Sequence, residues 1–392
     1  SSKKLMHIKH NIIKMYFLKG VLWFMLSMPI IILFFKENGL SLTEIMTLQA
    51  AYSLTVALFE VPSGYLADMF GRKSCIVFST IFSFVGFLFF CFFSGFYYFL
   101  VAQILVGFAG SLISGSDSAI IYDTLLQINN KDSYAKIEGR NYAIGNFSEA
   151  TAGIFGGFLA VSSIYLPVYA QTAFIFLSIP IAFTLVEPEI KNITSSKNSL
   201  HSIFILVKST LVENSKLRWL IVYSSAMGVA TLSMAWFSQP FFIAIDLPLV
   251  LFGIFWALLN FSSGISSYNS HFFSNKFSYR ALIYFSVIMS LSFFLLGFSI
   301  ITYGLFFIFI IYFLRGIVTP ILRNEINKIT SSNIRATVLS VRSFIIRVSF
   351  AILAPILGFI AEHNSLSITF YFLAIVVGFS TLLSAFKLIK LE

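Results

Sequence analysis

Charge is what this sequence has least of. Only 11% of its 392 residues are Asp, Glu, Lys or Arg, while 58% are hydrophobic and 18% aromatic; soluble domains run near 25% charged and 45 to 50% apolar. A chain so composed cannot coat itself with ionised side chains, which excludes an ordinary water-soluble globule and points to lipid as the solvent. Cysteine is nearly absent. Cys75 and Cys91 lie in one apolar run, where a helical rise of roughly 24 Å forbids a disulfide between them. His7, His10, His201, His271 and His363 fall at ends or in loops without the spacing of metal ligands, so no metal centre is expected. No G-x-x-x-x-G-K-[ST] loop occurs, which argues against an ATP-driven pump. No polar segment is long enough for a catalytic domain, so neither an enzyme nor a cofactor is expected. A small-residue cleavage site is missing after the basic start at Lys3, Lys4 and Lys9, so the first apolar run is expected to be retained as a helix. The formal charge of +10 is scattered among short loops, which excludes a nucleic-acid patch.

What is there instead is a series of long apolar runs. Twelve stand out, over approximately 12–35, 43–65, 75–96, 98–124, 140–161, 165–186, 218–241, 248–271, 280–300, 303–325, 337–360 and 366–388, each long enough for a membrane-crossing helix. The longest polar segment, 187–216, divides them six and six, predicting two helical bundles, 1–186 and 217–392, joined by a linker. Within it Ser195 to Leu211 carries enough apolar residues for a short helix lying on the membrane surface, and a plain tether fits the same composition. Lys and Arg outside the runs gather on alternate loops, at Arg72, Lys73, Lys131, Lys136, Lys191, Lys197, Lys208, Lys216, Lys276, Lys328, Arg335 and Lys390, whereas the opposite loops hold little more than Lys36, Glu37, Asp246, Glu362 and His363. The positive-inside rule then places both termini in the cytoplasm.

Between the second and third runs stands Gly64-Tyr65-Leu66-Ala67-Asp68-Met69-Phe70-Gly71-Arg72-Lys73. Its position makes it a short turn at the water interface: Gly64 is expected to let two backbones approach, Gly71 to supply permissive dihedrals, and Asp68 to pair with Arg72 or Lys73 or to meet a helix N-terminus. The stretch resembles motif A of the major facilitator superfamily, G-x-L-a-D-r-x-G-r-k, with Gly64, Asp68, Gly71, Arg72 and Lys73 all in register. Shifting by 207 positions brings Asn275 onto Asp68 and Arg280 onto Lys73, a worn second copy that fits an internal repeat. The run Ala152-Gly153-Ile154-Phe155-Gly156-Gly157 resembles the end of the family's motif C without its proline, and Gln103 stands where motif B has an arginine. The resemblance implies an all-α membrane protein of twelve transmembrane helices in two bundles, acting as a secondary active transporter by alternating access. It further implies that Asp68 and Arg72 latch the cytoplasmic side, with Arg335 as a neighbour.

Charges inside the apolar runs are the remaining signal, since each costs about 2.5 to 3.5 kcal/mol unless it meets water or a partner. Glu60, Asp117 and Glu149, with Lys19 as lone cation, occupy the first half; Arg315, Arg342 and Arg347 occupy the second. This segregation suits a solute of both signs, or an anion moving with a proton. Glu60, Glu149 and Lys19 are the proton-coupling candidates; the alternative is that Glu60 simply pairs with Lys19 or stabilises the cytoplasmic end of the bundle. Arg315, Arg342, Arg347 and Asp117, with Trp236, Gln239 and Asn260, are the substrate-binding candidates. Arg342 and Arg347 lie about 140° apart on a helix, so one needs another partner. Asp123 reads as a gate or interface residue. The function expected is proton-coupled movement, export more than uptake, of a small amphipathic or anionic solute by a monomer in a bacterial inner membrane. An importer of a carboxylate-bearing solute, a lipid flippase and a non-transporting sensor remain as alternatives.

Overall fold

The computed structural model describes residues 2–189, 205, 208, 211–274, 277–330 and 335–392, and the regular elements among them are all helices. They are α1 (Ser2–Leu22), α2 (Ile31–Glu37), α3 (Leu42–Phe70), α4 (Arg72–Phe92), α5 (Phe96–Ile113), α6 (Ser116–Gln127), α7 (Tyr134–Ser162) and α8 (Tyr165–Phe183) in the first part of the chain. There follow α9 (Ser215–Ala244), α10 (Leu249–Tyr268), the short α11 (Ser270–Ser274), α12 (Ala281–Phe298), α13 (Leu305–Lys328), α14 (Arg335–His363) and α15 (Leu366–Ile389). Ile205, Lys208 and Leu211 apart, the surface helix expected over Ser195 to Leu211 lies outside the described residues, as does Asn275 of the worn motif.

Among the described residues, ten helical segments are long and apolar enough to cross a membrane. The two other expected spans miss that measure for visible reasons. The run 12–35 is not one helix: α1 carries Lys9, Lys14 and Lys19 and stops at Leu22, and the chain turns through a short 3-10 segment holding Pro29 before α2 begins. The run 140–161 is continuous, as α7, but its glycines, Asn146 and Glu149 dilute its hydropathy. The expected span 98–124 is also broken, at Gly115 with φ 84°, so α5 and α6 form one crossing in two pieces. Side chains start several of the other helices. Ser41 and Glu44 form a reciprocal capping box on α3, Asn214 accepts from Leu217 N–H at the start of α9, and Ser365 accepts from Ile368 N–H at the start of α15.

The chain divides into two compact units: Ser1–Leu40, Ala51–Ser196 and Leu249–Ala257 form the first, and Ser41–Ala50, Lys197–Pro248 and Leu258–Glu392 the second. In the first, Met15, Leu18, Ile76, Ile120, Ile121 and Leu125 make a buried cluster, and Phe34, Phe35, Phe90 and Phe99 pack ring against ring with centroids 5.4 to 6.3 Å apart. Lipid tails are as apolar as these rings, so close fit and interhelical hydrogen bonds hold the unit, in place of water exclusion. Asn11 does this twice over, donating to Val186 O (2.7 Å) and accepting from Val186 N–H (3.0 Å). Gln171 Oε1 accepts from both the N–H and the hydroxyl of Ser27, tying the break after α1 to α8.

In the second unit Tyr223 donates to Leu282 O (2.9 Å) and accepts from Ser286 (3.2 Å), joining α9 to α12 inside the core. Gly316 of α13 lies against the backbone at Ser263 and the hydroxyl of Ser266 on α10, leaving no room for a Cβ. At the far end of α14, Gly358 seats on Leu42, Thr43 and Met46 of α3, and one turn on Glu362 accepts from Thr43, through its N–H at 3.0 Å and through its hydroxyl. Bulky apolar side chains such as Phe92, Tyr268, Phe298 and Phe379 stand exposed on both units, as a surface wetted by lipid requires.

Candidate functional site

The turn between α3 and α4 is built from charge. Gly71 has φ 94° and ψ 154°, a backbone conformation that L side chains avoid, and it lets α4 begin immediately at Arg72. That leaves the first amides of α4 without intrahelical acceptors. Glu187, just past α8, supplies them: one carboxylate oxygen accepts from Arg72 N–H and the other from Lys73 N–H, each at 2.7 Å. A Cβ on residue 71 would lie 2.7 Å from that carboxyl carbon. The Arg72 guanidinium turns back to Asp68 at 2.8 Å and to Asp123 of α6 at 3.6 Å. Asp68 is the outer member, 56% exposed, whereas Arg72 and Asp123 are 19% and 13% exposed. One cation thus gathers two carboxylates while a third neutralises the helix start, joining α3, α4, α6 and the end of α8. Sequence reasoning missed Glu187, having assigned it to the linker; its signal was its position directly after a span. Gly64 corrects an expectation, for a Cβ there would meet nothing within 4 Å, so no backbone approaches it. Arg335 opens α14 with its side chain outside the described part of the chain, and Arg280, exposed, precedes α12.

A second polar cluster lies within the spans of the first unit. Lys19 Nζ meets Asp117 Oδ2 at 3.1 Å, with only 14% and 16% of the two side chains exposed, and lies 4.5 Å over the Trp23 ring. The alternative that Lys19 pairs with Glu60 is therefore corrected: the partner of Lys19 is Asp117, placed by the break at Gly115 that starts α6 beside α1. Asp117 Oδ1 accepts from Ser118 N–H at 2.7 Å, and the Ser118 hydroxyl donates to Glu138 of α7. Glu60 on α3 and Glu149 on α7 are half-buried, and neither stands without a partner.

The arginines of the second unit differ in setting. Arg342, 9% exposed, donates through Nε to Ser224 Oγ on α9. Arg347 is half-buried with a partner of its own, and Arg315 is exposed on α13. Gln239 is buried, while Trp236 and Asn260 are half-buried. The acid nearest the end of α13, Glu325, is taken: Lys328 donates to it at 2.7 Å and the Tyr279 hydroxyl at 3.4 Å. Burial, and after it the charge of Glu325, push the Tyr279 phenol up to about 12, so it stays protonated.

The glycines resembling motif C serve packing. Gly156 lies against the backbone of Leu26, Gly153 against the ring of Trp256, and Gly157 and Gly153 against the backbone of Gly253 on α10. Among the described residues no group of three His, Cys, Asp or Glu is placed to hold a metal ion.

Comparison with known proteins fits this architecture. A MFS-type transporter of Bacillus subtilis (strain 168), YxaM, is 24% identical over 357 residues, 88% of either chain. Among solved structures the chain is similar in fold to a nucleoside transporter, NupG (TM-score 0.80, 13% identity, covering 98% of this chain and 99% of that one). It is likewise similar to a D-xylose-proton symporter (TM-score 0.71, 13% identity, 97% of each chain). The family model of the Major Facilitator Superfamily matches residues 14–347. The chain belongs to the Major Facilitator Superfamily, as a multi-pass membrane transporter and not an enzyme.

Proposed function

We propose that this secondary transporter moves a small amphipathic or anionic solute coupled to protons, and that it exports the solute. The observation that carries the coupling is the pair Lys19–Asp117, two opposite charges 3.1 Å apart and largely withdrawn from solvent within the spans. A proton delivered to Asp117 cancels one partner and leaves a buried ammonium needing another, so protonation and rearrangement are coupled by the cost of that stranded charge. Ser118 and Glu138 continue the polar path toward α7, and Glu60 and Glu149 are further proton carriers. The positive-inside count supports cytoplasmic termini, with 187–216 as a cytoplasmic linker between halves 1–186 and 217–392. The turn at Gly71 then faces the cytoplasm, where Asp68 and Arg72 act as a latch. The protein works as a monomer in a bacterial cytoplasmic membrane.

Proteoliposomes with an imposed pH gradient test this. The expected result is solute movement that follows the proton gradient in the wild type and ceases to follow it in Asp117→Asn, with exchange at equal pH retained. Coupling that survives Asp117→Asn removes the pair from the mechanism. A second reading, uptake of a carboxylate-bearing solute, is favoured by the buried Arg342; reversing the gradient distinguishes the two directions. A flippase would move labelled lipid between leaflets in the same vesicles, and a sensor would bind without moving anything.

A further inference from the structure

Arg342 is the most deeply withdrawn of the candidate arginines with a described side chain. Its side chain is 9% exposed inside α14, and Ser224 of α9 accepts from Nε. That leaves the two Nη groups, four N–H donors, without a hydrogen bond to another described residue and not fully shut away from solvent. No carboxylate among the described residues lies within ion-pair distance of it. Its charged neighbour is instead a like charge: Arg323 of α13 is close enough to repel it. Arg323 is itself exposed, and the nearest acid on its own helix, Glu325, is already held by Lys328 and Tyr279.

Two guanidiniums near enough to repel, one of them largely buried, form an arrangement that destabilises the protein when empty. An oxyanion with paired oxygens satisfies both, since a guanidinium fork matches a carboxylate or phosphate edge and charge-assisted bonds of that kind are roughly twice as strong as neutral ones. The hydroxyl of Ser224, already accepting from Arg342, keeps its own hydrogen to donate to the same anion. Arg342 lies two turns inside the start of α14, Arg323 somewhat over one turn before the end of α13, and Ser224 between two and three turns inside α9. All three therefore sit toward the end of the second unit where the linker enters.

We infer that Arg342, Arg323 and Ser224 form a subsite for the carboxylate or phosphate head of the transported solute. This assignment rests on the reading of the chain as a transporter of an anionic or amphipathic solute and narrows it to solutes with such a head. Arg342 is the buried anchor and Arg323 the exposed arm that meets the anion first.

The test is binding, without a gradient, in nanodiscs of phosphatidylcholine. Thermal unfolding is followed with sodium phosphate, sulfate or benzoate titrated against sodium chloride at equal ionic strength. The expected result is a saturable rise in Tm with at least one oxyanion. Half-saturation should weaken about tenfold in Arg342→Gln and in Arg323→Gln, the loss of one charge-assisted contact, and be unchanged in Arg280→Gln. Arg323→Gln keeps the test decisive if Arg342→Gln fails to fold. No saturable rise with any of the three anions, or a rise that survives both variants, overturns the subsite. Stabilisation seen only when phosphatidylglycerol replaces phosphatidylcholine makes it a lipid site and overturns the solute assignment. Binding that persists where proteoliposomes show no proton-driven movement leaves the subsite standing and removes the coupling.

Discussion

Glu187 carries out two tasks with one carboxylate. It ends the polar deficit at the start of α4 and it fills the space that Gly71 leaves by having no side chain. Gly71→Ala therefore meets a dihedral penalty and a collision together, and should lower stability by about 1–3 kcal/mol, read as thermal unfolding in detergent. Glu187→Gln keeps the shape and loses the charge on the helix start, at a cost of about 1 kcal/mol. Because both act on one contact, the double variant should cost less than the sum, and strict additivity would show that the contact does not hold the turn. Lys19 and Asp117 behave differently. Lys19→Met alone strands a carboxylate within the spans, an expected loss of about 3 kcal/mol, whereas Lys19→Met with Asp117→Asn should recover most of it. Equal instability of the single and double variants would argue that packing at Trp23, not charge, decides.

At the scale of elements, α7 shows how glycine placement separates a packed face from an idle one. A Cβ at Gly156 runs into the backbone of Leu26, which cannot yield, while one at Gly139 meets nothing within 4 Å. Gly156→Ala should abolish monodisperse protein in size-exclusion chromatography. Gly139→Ala should raise Tm, because alanine is worth roughly 0.5–1 kcal/mol more than glycine inside a helix. The spans themselves were legible from sequence because a lipid solvent writes itself as hydropathy, which needs no knowledge of neighbours. The breaks at 23–30 and at Gly115 were not. Each is set by what it must meet: the first is tied to Gln171 of α8, and the second turns Asp117 toward Lys19. A run of apolar residues reads the same whether its helix is straight or cut.

Over the whole molecule, the family, the helical class and the motif at Gly64 to Lys73 could be taken from the residues, since each is local in sequence. Partner choice could not. Lys19 finds Asp117 across 98 positions, and Arg72 and Lys73 find Glu187 across 115 and 114; composition carries no record of either. Asp68, the exposed member of its cluster, pairs with Arg72 where water screens the contact, so it contributes little to holding α4. Asp68→Asn should slow transport severalfold in proteoliposomes while leaving the solute's half-saturation nearly unchanged, and a large loss of affinity with normal turnover would assign Asp68 to the solute instead. The meeting of α7 with α10 has a further consequence. Where Gly153 and Gly157 touch Gly253, main chain rests on main chain with no side chain between them. Such a junction has no teeth: nothing there must unmesh before one rod swivels on the other, so its resistance to turning comes only from whatever flanks it, here the indole of Trp256.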